Sequence, residues 1–477
     1  MAIAWLPDEP DCTDVPKSRC DWHWFSVVAL VIVTAIVSDI GEDLYGAPRL
    51  RVFESAICKR YYAEHNPRLI DPDGSVPERY CKIDPVQDRL AELLGWLYFS
   101  NSVPAILLPI PYGYLADKYG RRWILVGVVE APIGLVCLSS LFFLLGGGPT
   151  TGTTLLTTIV ADVVPSELRA TVFFYRFCTD LVADLTVPPV TAYLMSVNIW
   201  IPLLGGVLFQ GIAALMTAMI PETLPYRPSP SLSTTDPRSP FERQPATSNR
   251  SESSERATVY RSFRTPMQET AASFSFVTGH SAIRGLVLTF LISKVGSQST
   301  NVLYQYVSKR YGWALSQAGL LLSVRAAVNI ALFIAILPAL AKYLLRRMDA
   351  SAKDFLIAKG SIVLLVAGCF GLFLAASAAG MIISLVLFTM GTGFAPTVRS
   401  LVTSLVENLE DNSSSDVGRL YALISTMEGI GTMLAAPGMA VAFRVGISLG
   451  EKWMGLPFGL AAVLFGVVAG VVFRLKL

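Results

Sequence analysis

The sequence predicts an all-α polytopic membrane protein with twelve transmembrane helices in two six-helix bundles. Three observations carry that expectation. Of 477 residues, 53% are hydrophobic and only 16% are charged, and the mean hydropathy is +0.52, more apolar surface than one water-soluble core can enclose. Apolar runs of about 20 residues, enough to cross roughly 30 Å of hydrocarbon as a helix, recur along the chain. A polar stretch at 222–280 divides these runs six and six.

The first six spans lie near 24–46, 91–115, 123–145, 148–164, 170–195 and 199–220, and the second six near 282–306, 314–341, 355–377, 379–406, 418–443 and 453–475. The domain plan follows. Residues 1–23 read as a cytosolic N-terminal segment, 24–221 as the first bundle with a long outer loop at 47–90, and 281–477 as the second bundle. Segment 222–280 is rich in Ser, Thr, Pro and Arg and buries too little apolar surface to fold alone, so it reads as a largely disordered cytosolic linker. No small-residue cleavage site follows the first apolar run, which reads as a retained helix.

Short-loop Lys and Arg set the expected orientation. Lys118, Arg121, Arg122, Arg169, Lys342, Arg346, Arg347 and Lys353 fall on one face, which is therefore read as cytosolic, with both termini inside and the plasma membrane as the expected location. The opposite connections at 146–149, 196–198 and 378–380 carry no basic residue, although Lys309, Arg310, Arg444 and Lys452 dilute the contrast. The near balance of acids and bases, a net charge of +2, gives no footprint for a nucleic-acid partner. The partners implied are the lipid bilayer, a small-molecule substrate and protons.

One turn is unusually specific. Gly113, Asp117, Lys118, Gly120, Arg121 and Arg122 stand in the order Gly, three residues, Asp, Arg/Lys, any, Gly, Arg, Arg/Lys, between the second and third spans. This resembles the loop motif of the major facilitator superfamily. Leu115 to Arg122 aligns without gaps on Leu340 to Arg347, as a decayed repeat between the halves would. Carried over by resemblance, Asp117 faces the start of the eleventh span near Val417 and Gly418, where the helix dipole favours an anion. Arg121 or Arg122 meets Asp162, and Arg169 opens the fifth span, so these residues are expected to gate and not to bind substrate. Pro221-Glu222-Thr223, the long outer loop and the polar linker together resemble fungal facilitators of the multidrug or secondary-metabolite type.

Ionisable residues inside a membrane cost on the order of 2.5–3.5 kcal/mol each and are functional candidates by default. Arg176, Asp180 and Asp184 recur at steps of four and share one helical stripe. Asp184 is the first candidate for a proton-coupling carboxylate, followed by Asp39, Glu130, Asp180 and Glu428; the alternative is a static Arg176/Asp180 pair with Asp184 hydrogen-bonded to a neighbouring helix. Arg176, Lys294, Arg325 and Asn329 are candidates for the substrate cavity. Glu42 and Asp43 are expected to meet water at the outer mouth, and Arg284 and Arg399 to snorkel to a boundary. Pro188 and Pro189 remove backbone donors and are expected to kink the fifth span.

Seven cysteines show no metal-ligand spacing. Cys58 and Cys81 share the expected outer loop, where a disulfide persists, and stand either bridged or as two free thiols. The sequence has no catalytic constellation and no nucleotide-binding glycine loop, so no enzyme, cofactor or metal is expected. The leading expectation is a proton antiporter that exports a small organic molecule by alternating access. An importer or uniporter of an organic anion or nutrient, or a non-transporting nutrient sensor of the same fold, is the alternative.

Overall fold

The structure is a computed structural model that describes residues 24–72, 74–107, 152, 156–157, 159–160, 163–164, 166–220, 281–346, 348, 350–409 and 414–474. No strand occurs among them. The first-half helices are α1 (Trp24–His65), α2 (Asp84–Leu107), α3 (Ser166–Val197) and α4 (Trp200–Met219). The second half supplies α5 (Ser281–Ser297), α6 (Leu303–Tyr311), α7 (Leu315–Ile330), α8 (Leu337–Leu345), α9 (Ala350–Leu374), α10 (Ala378–Met390), α11 (Phe394–Leu409), α12 (Ser414–Leu449) and α13 (Leu456–Arg474). Six of the described helical stretches are long and apolar enough to cross a membrane.

Three expected spans are broken helices. Residues Gln298–Val302 form a tight 3-10 turn between α5 and α6, Gly391–Gly393 another between α10 and α11, and Ala331–Ile336 a π-helical segment between α7 and α8. Such interruptions free backbone groups that neighbours must satisfy. Thr392 at the second break donates its hydroxyl to the Asn329 carboxamide oxygen (3.0 Å), which ties two breaks together.

Within each half, small residues let backbones close up. A Cβ on Gly41 of α1 would sit 3.0 Å from the Gly206 carbonyl oxygen, and one on Gly206 would sit 2.8 Å from that of Gly41, so α1 and α4 cross almost backbone to backbone. Between the halves, α12 packs along α2 and α7 along α3. A Cβ on Gly95 of α2 would lie 2.7 Å from that of Ala440 on α12. The rings of Phe177 on α3 and Phe333 in the π segment meet edge to face at 5.3 Å.

The expected outer loop is largely helix. Residue 47 does not end the first span; α1 continues to His65, because Leu50, Phe53 and Ile57 keep a helical spacing and pack with Leu90 and Leu94 of α2 and Leu315 of α7. Polarity marks where a helix leaves lipid, not where it stops. Beyond His65 two short 3-10 turns, Pro67–Leu69 and Glu78–Cys81, lead back to α2. Cys58 and Cys81 are bridged with their Cα atoms 5.3 Å apart, inside a small core with Tyr62, Val76 and Val86. We call residues 51–92 the cap.

Candidate functional site: a central cavity and the cap above it

The cap is built around a buried acid. Glu54, one turn before Cys58 on α1, is 1% exposed and accepts from Arg51 Nη1 (2.9 Å), Lys82 Nζ (2.7 Å) and Gln87 Nε2 (2.7 Å). Lys82 also reaches Glu78 (2.9 Å), and Arg51 lies 3.6 Å from the same carboxylate. Burial pushes the Glu78 pKa up, but the charge and hydrogen bond of Lys82, the Leu315 amide and the charge of Arg51 outweigh it and hold the carboxyl below its usual range.

Glu78 also crosses to the second half. Its Oε1 accepts the Leu315 backbone N–H at 2.8 Å, one of the orphan donors at the start of α7. On α2, Asp84, Asp88 and Glu92 follow one another at steps of four and face second-half cations. Lys309 lies 2.6 Å from Asp84, and Arg444 grips Asp88 with both Nε (2.8 Å) and Nη2 (3.1 Å) while lying 3.6 Å from Glu92. Arg310 donates to the Ala375 carbonyl (3.1 Å) and to that of Glu451. Sequence reasoning treated Lys309, Arg310 and Arg444 only as noise in the charge bias. The acidic stripe on α2 was the signal that could have found the partners of Lys309 and Arg444.

Beneath the cap lie two adjoining cavities between the halves. One, of about 160 Å³, is lined from α1 by Glu42, Asp43 and Tyr45, from α3 by Pro188 and Thr191, from α6 by Tyr304 and from α7 by Gly319 and Leu322, among others. The second, of about 180 Å³, is lined by Tyr98 of α2, Thr300 and Asn301 in the 3-10 turn, Tyr304, Leu322 and Arg325. Tyr304 and Leu322 line both.

The expected site residues distribute unevenly around this space. Arg325 lines the second cavity, whereas Arg176, Lys294 and Asn329 line neither. Arg176 pairs with Asp39 of α1 (3.1 Å) and with Asp180 one turn along α3, so two carboxylates share one guanidinium. The expected pair of Arg176 with Asp180 is therefore a triad that includes Asp39. Asp184 interacts electrostatically with Arg325 and Asp39, and the Ser323 hydroxyl lies 3.5 Å from its backbone carbonyl. Glu42 and Asp43, expected to meet water at the outer mouth, line the first cavity, because α1 carries them straight on below the cap, and Glu42 is exposed there.

In the second half, Lys294 packs its stem against Gly431 of α12. Glu428 of α12 pairs with Arg399 of α11 at 2.7 Å. Pro188 and Pro189 lie inside an α3 that runs unbroken from Ser166 to Val197. Gly113, Asp117, Lys118, Gly120, Arg121, Arg122, Glu130, Asp162 and the segment 222–280 fall outside the described residues, as does the side chain of Arg169.

Paired helical halves, broken helices at a shared cavity and ionisable groups at membrane depth define a multi-pass membrane transporter. The chain belongs to the Major Facilitator Superfamily, whose family model matches residues 82–436. It is 33% identical to the MFS efflux pump atnC of Emericella nidulans, over 99% of this chain and 92% of that one. It is 28% identical to the efflux pump ustT of Aspergillus flavus, over 97% and 91%. Among solved structures it resembles the nucleoside transporter NupG (TM-score 0.58, 13% identity, 94% of this chain and 100% of that one). The human organic anion transporter MFSD10 is similar at TM-score 0.55 and 18% identity, over 94% and 99%. At these identities the solved structures speak to fold alone.

Proposed function

We propose that this protein is a secondary active transporter that exports a small organic molecule by alternating access between bundles 24–221 and 281–477, driven by protons moving the other way. The plasma membrane is the site we assign to it, with both termini and the linker 222–280 in the cytosol and the cap outside. The direction draws on relatives whose names are efflux pumps, and the orientation on the basic short loops of the opposite face.

The observation that carries proton coupling is the triad of Asp39, Asp180 and Arg176. Two carboxylates facing one guanidinium leave a surplus negative charge at membrane depth, and a proton is the smallest species that relieves it. With Asp184 opposite Arg325 one turn further along α3, this gives a ladder of acids along one wall of the interface. Protonation from outside and release inside would bias which end of the ladder opens.

The test is flux of a panel of small organic compounds in sealed vesicles under an imposed proton gradient, with Asp39→Asn and Asp184→Asn beside the wild type. The expected result is gradient-driven flux that falls at least about tenfold in either variant, while substrate exchange without a gradient persists. Gradient-insensitive flux, equal in all three proteins, would overturn proton coupling and leave a uniporter.

A further inference from the structure

We infer that the first cavity recognises a basic nitrogen: the substrate is an organic cation whose ammonium group docks on Asp43 and whose apolar body lies against Tyr45, Tyr304 and Pro188. This names a substrate class for the transporter reading above and rests on it.

The argument begins with charge. Asp43 lines the cavity, and its Oδ2 is buried with no hydrogen-bond partner among the described residues. The charged groups that act on it are Asp184, Glu42 and Asp39, all of them acids. No guanidinium is among the groups that act on Asp43. Arg176 holds Asp39 and Asp180; Arg325, whose Nε has no hydrogen-bond partner among the described residues, lines the second cavity and acts on Asp184 and Tyr304; Arg49 lines the first cavity but lies over the Tyr45 ring at 5.2 Å and acts on Glu42. Asp43 is thus a carboxylate to which no cation among the described residues comes. Left ionised and unpaired in a low-dielectric wall, such a carboxylate would cost several kcal/mol, so it takes up either a proton or a cation.

The rest of the wall fits the same guest. Tyr45, with Arg49 over its ring, and Tyr304 line the same cavity as the acid, and an aromatic wall beside a carboxylate suits an ammonium. Tyr304 lines both cavities. The adjoining cavity gives room for an apolar or hydrogen-bonding tail beyond Leu322, towards Tyr98 and Asn301. A proton and an ammonium satisfy Asp43 equally and exclude each other there. Competition at one carboxylate is the simplest coupling an antiporter can use.

The test uses the full chain in lipid nanodiscs and radiolabelled benzyltrimethylammonium, a permanent cation, so any pH dependence belongs to the protein. Saturable binding is expected, insensitive to excess phenylacetate and weaker by about tenfold or more at pH about 5.5 than at about 8. Asp43→Asn should lower affinity by at least about tenfold and abolish the pH dependence, while Asp43→Glu retains both. Tyr304→Leu should weaken binding about three- to tenfold with the pH dependence intact, and the wild-type pH competition needs no variant at all. Absence of saturable cation binding, or binding in Asp43→Asn with the wild-type affinity and pH dependence, would overturn the inference. So would binding of labelled phenylacetate in place of the cation, which would move recognition to Arg325. Loss of proton-driven flux with cation binding intact would instead sink the export reading and leave this site standing.

Discussion

The cap and the cavity solve the same problem in opposite ways. Glu54 and Asp43 lie on the same helix, eleven positions apart, and each takes a carboxylate out of bulk water. Glu54 receives three donors within 2.9 Å; Asp43 Oδ2 receives none among the described residues. A buried charge that is fully hydrogen-bonded fixes one arrangement, and one that is left open waits for something to complete it. The cap is therefore the part of the molecule that should not change during transport, and the cavity wall the part that must.

Parallel substitutions break this comparison most directly. Glu54→Ala removes the buried acceptor that Arg51, Lys82 and Gln87 share, leaving Glu78 as the acid for both cations, and should cost about 3–5 kcal/mol. Asp43→Asn removes an unpaired charge and should be neutral or stabilising by up to about 1 kcal/mol. Denaturant or thermal unfolding of the two variants in detergent measures both. Equal destabilisation would mean that Asp43 has a structural partner after all.

The fold was legible because membranes punish ambiguity. Apolar runs of fixed length gave the helices, and the turn at Gly113 to Arg122 gave the family, although that turn lies outside the described residues. The cap was not legible, since α1 beyond residue 47 keeps its periodicity only through Leu50, Phe53 and Ile57, three positions in a segment dense with charges. Charge by itself could not separate a loop from an emergent helix. In the site, Arg176, Asp180 and Asp184 were found by their spacing of four, but their cross-helix partner Asp39 could not be, because nothing in sequence fixes the rotation of α1 against α3.

Glu78 stands between the two regions, fastened to the cap by Lys82 and to α7 through the Leu315 amide. Its folded pKa is depressed, so its contribution is full above the ordinary glutamate value of about 4.3 and is lost as pH falls through the lower folded value. The cap should thus stay latched at any ordinary external pH and loosen only in stronger acid. Glu78→Gln, which keeps an acceptor but loses the charge, should cost about 1–2 kcal/mol at neutral pH and nothing in strong acid. Unfolding midpoints of the two proteins across pH check the convergence; a constant difference would show that the charge is not what matters.

The smallest effect belongs to Arg444, and smallness there is informative. Its side chain and those of Asp88 and Glu92 are each at least 35% exposed, so despite the two-pronged grip on Asp88 the cluster should contribute no more than about 1 kcal/mol to stability. Bonds of that size between the halves suit a closure that opens in every cycle, whereas the bonds inside the cap let it travel as a rigid body with α1 and α2. Met195 of α3 also lines the first cavity; Arg444→Gln should leave the unfolding midpoint almost unchanged yet raise the labelling of a cysteine placed there, Met195→Cys, by about two- to fivefold with a membrane-impermeant thiol reagent applied from the cap side. A large loss of stability with no gain in labelling would make the Arg444 cluster part of the cap's own architecture. The moving boundary would then lie nearer the cavity, at the contact of Glu78 with α7.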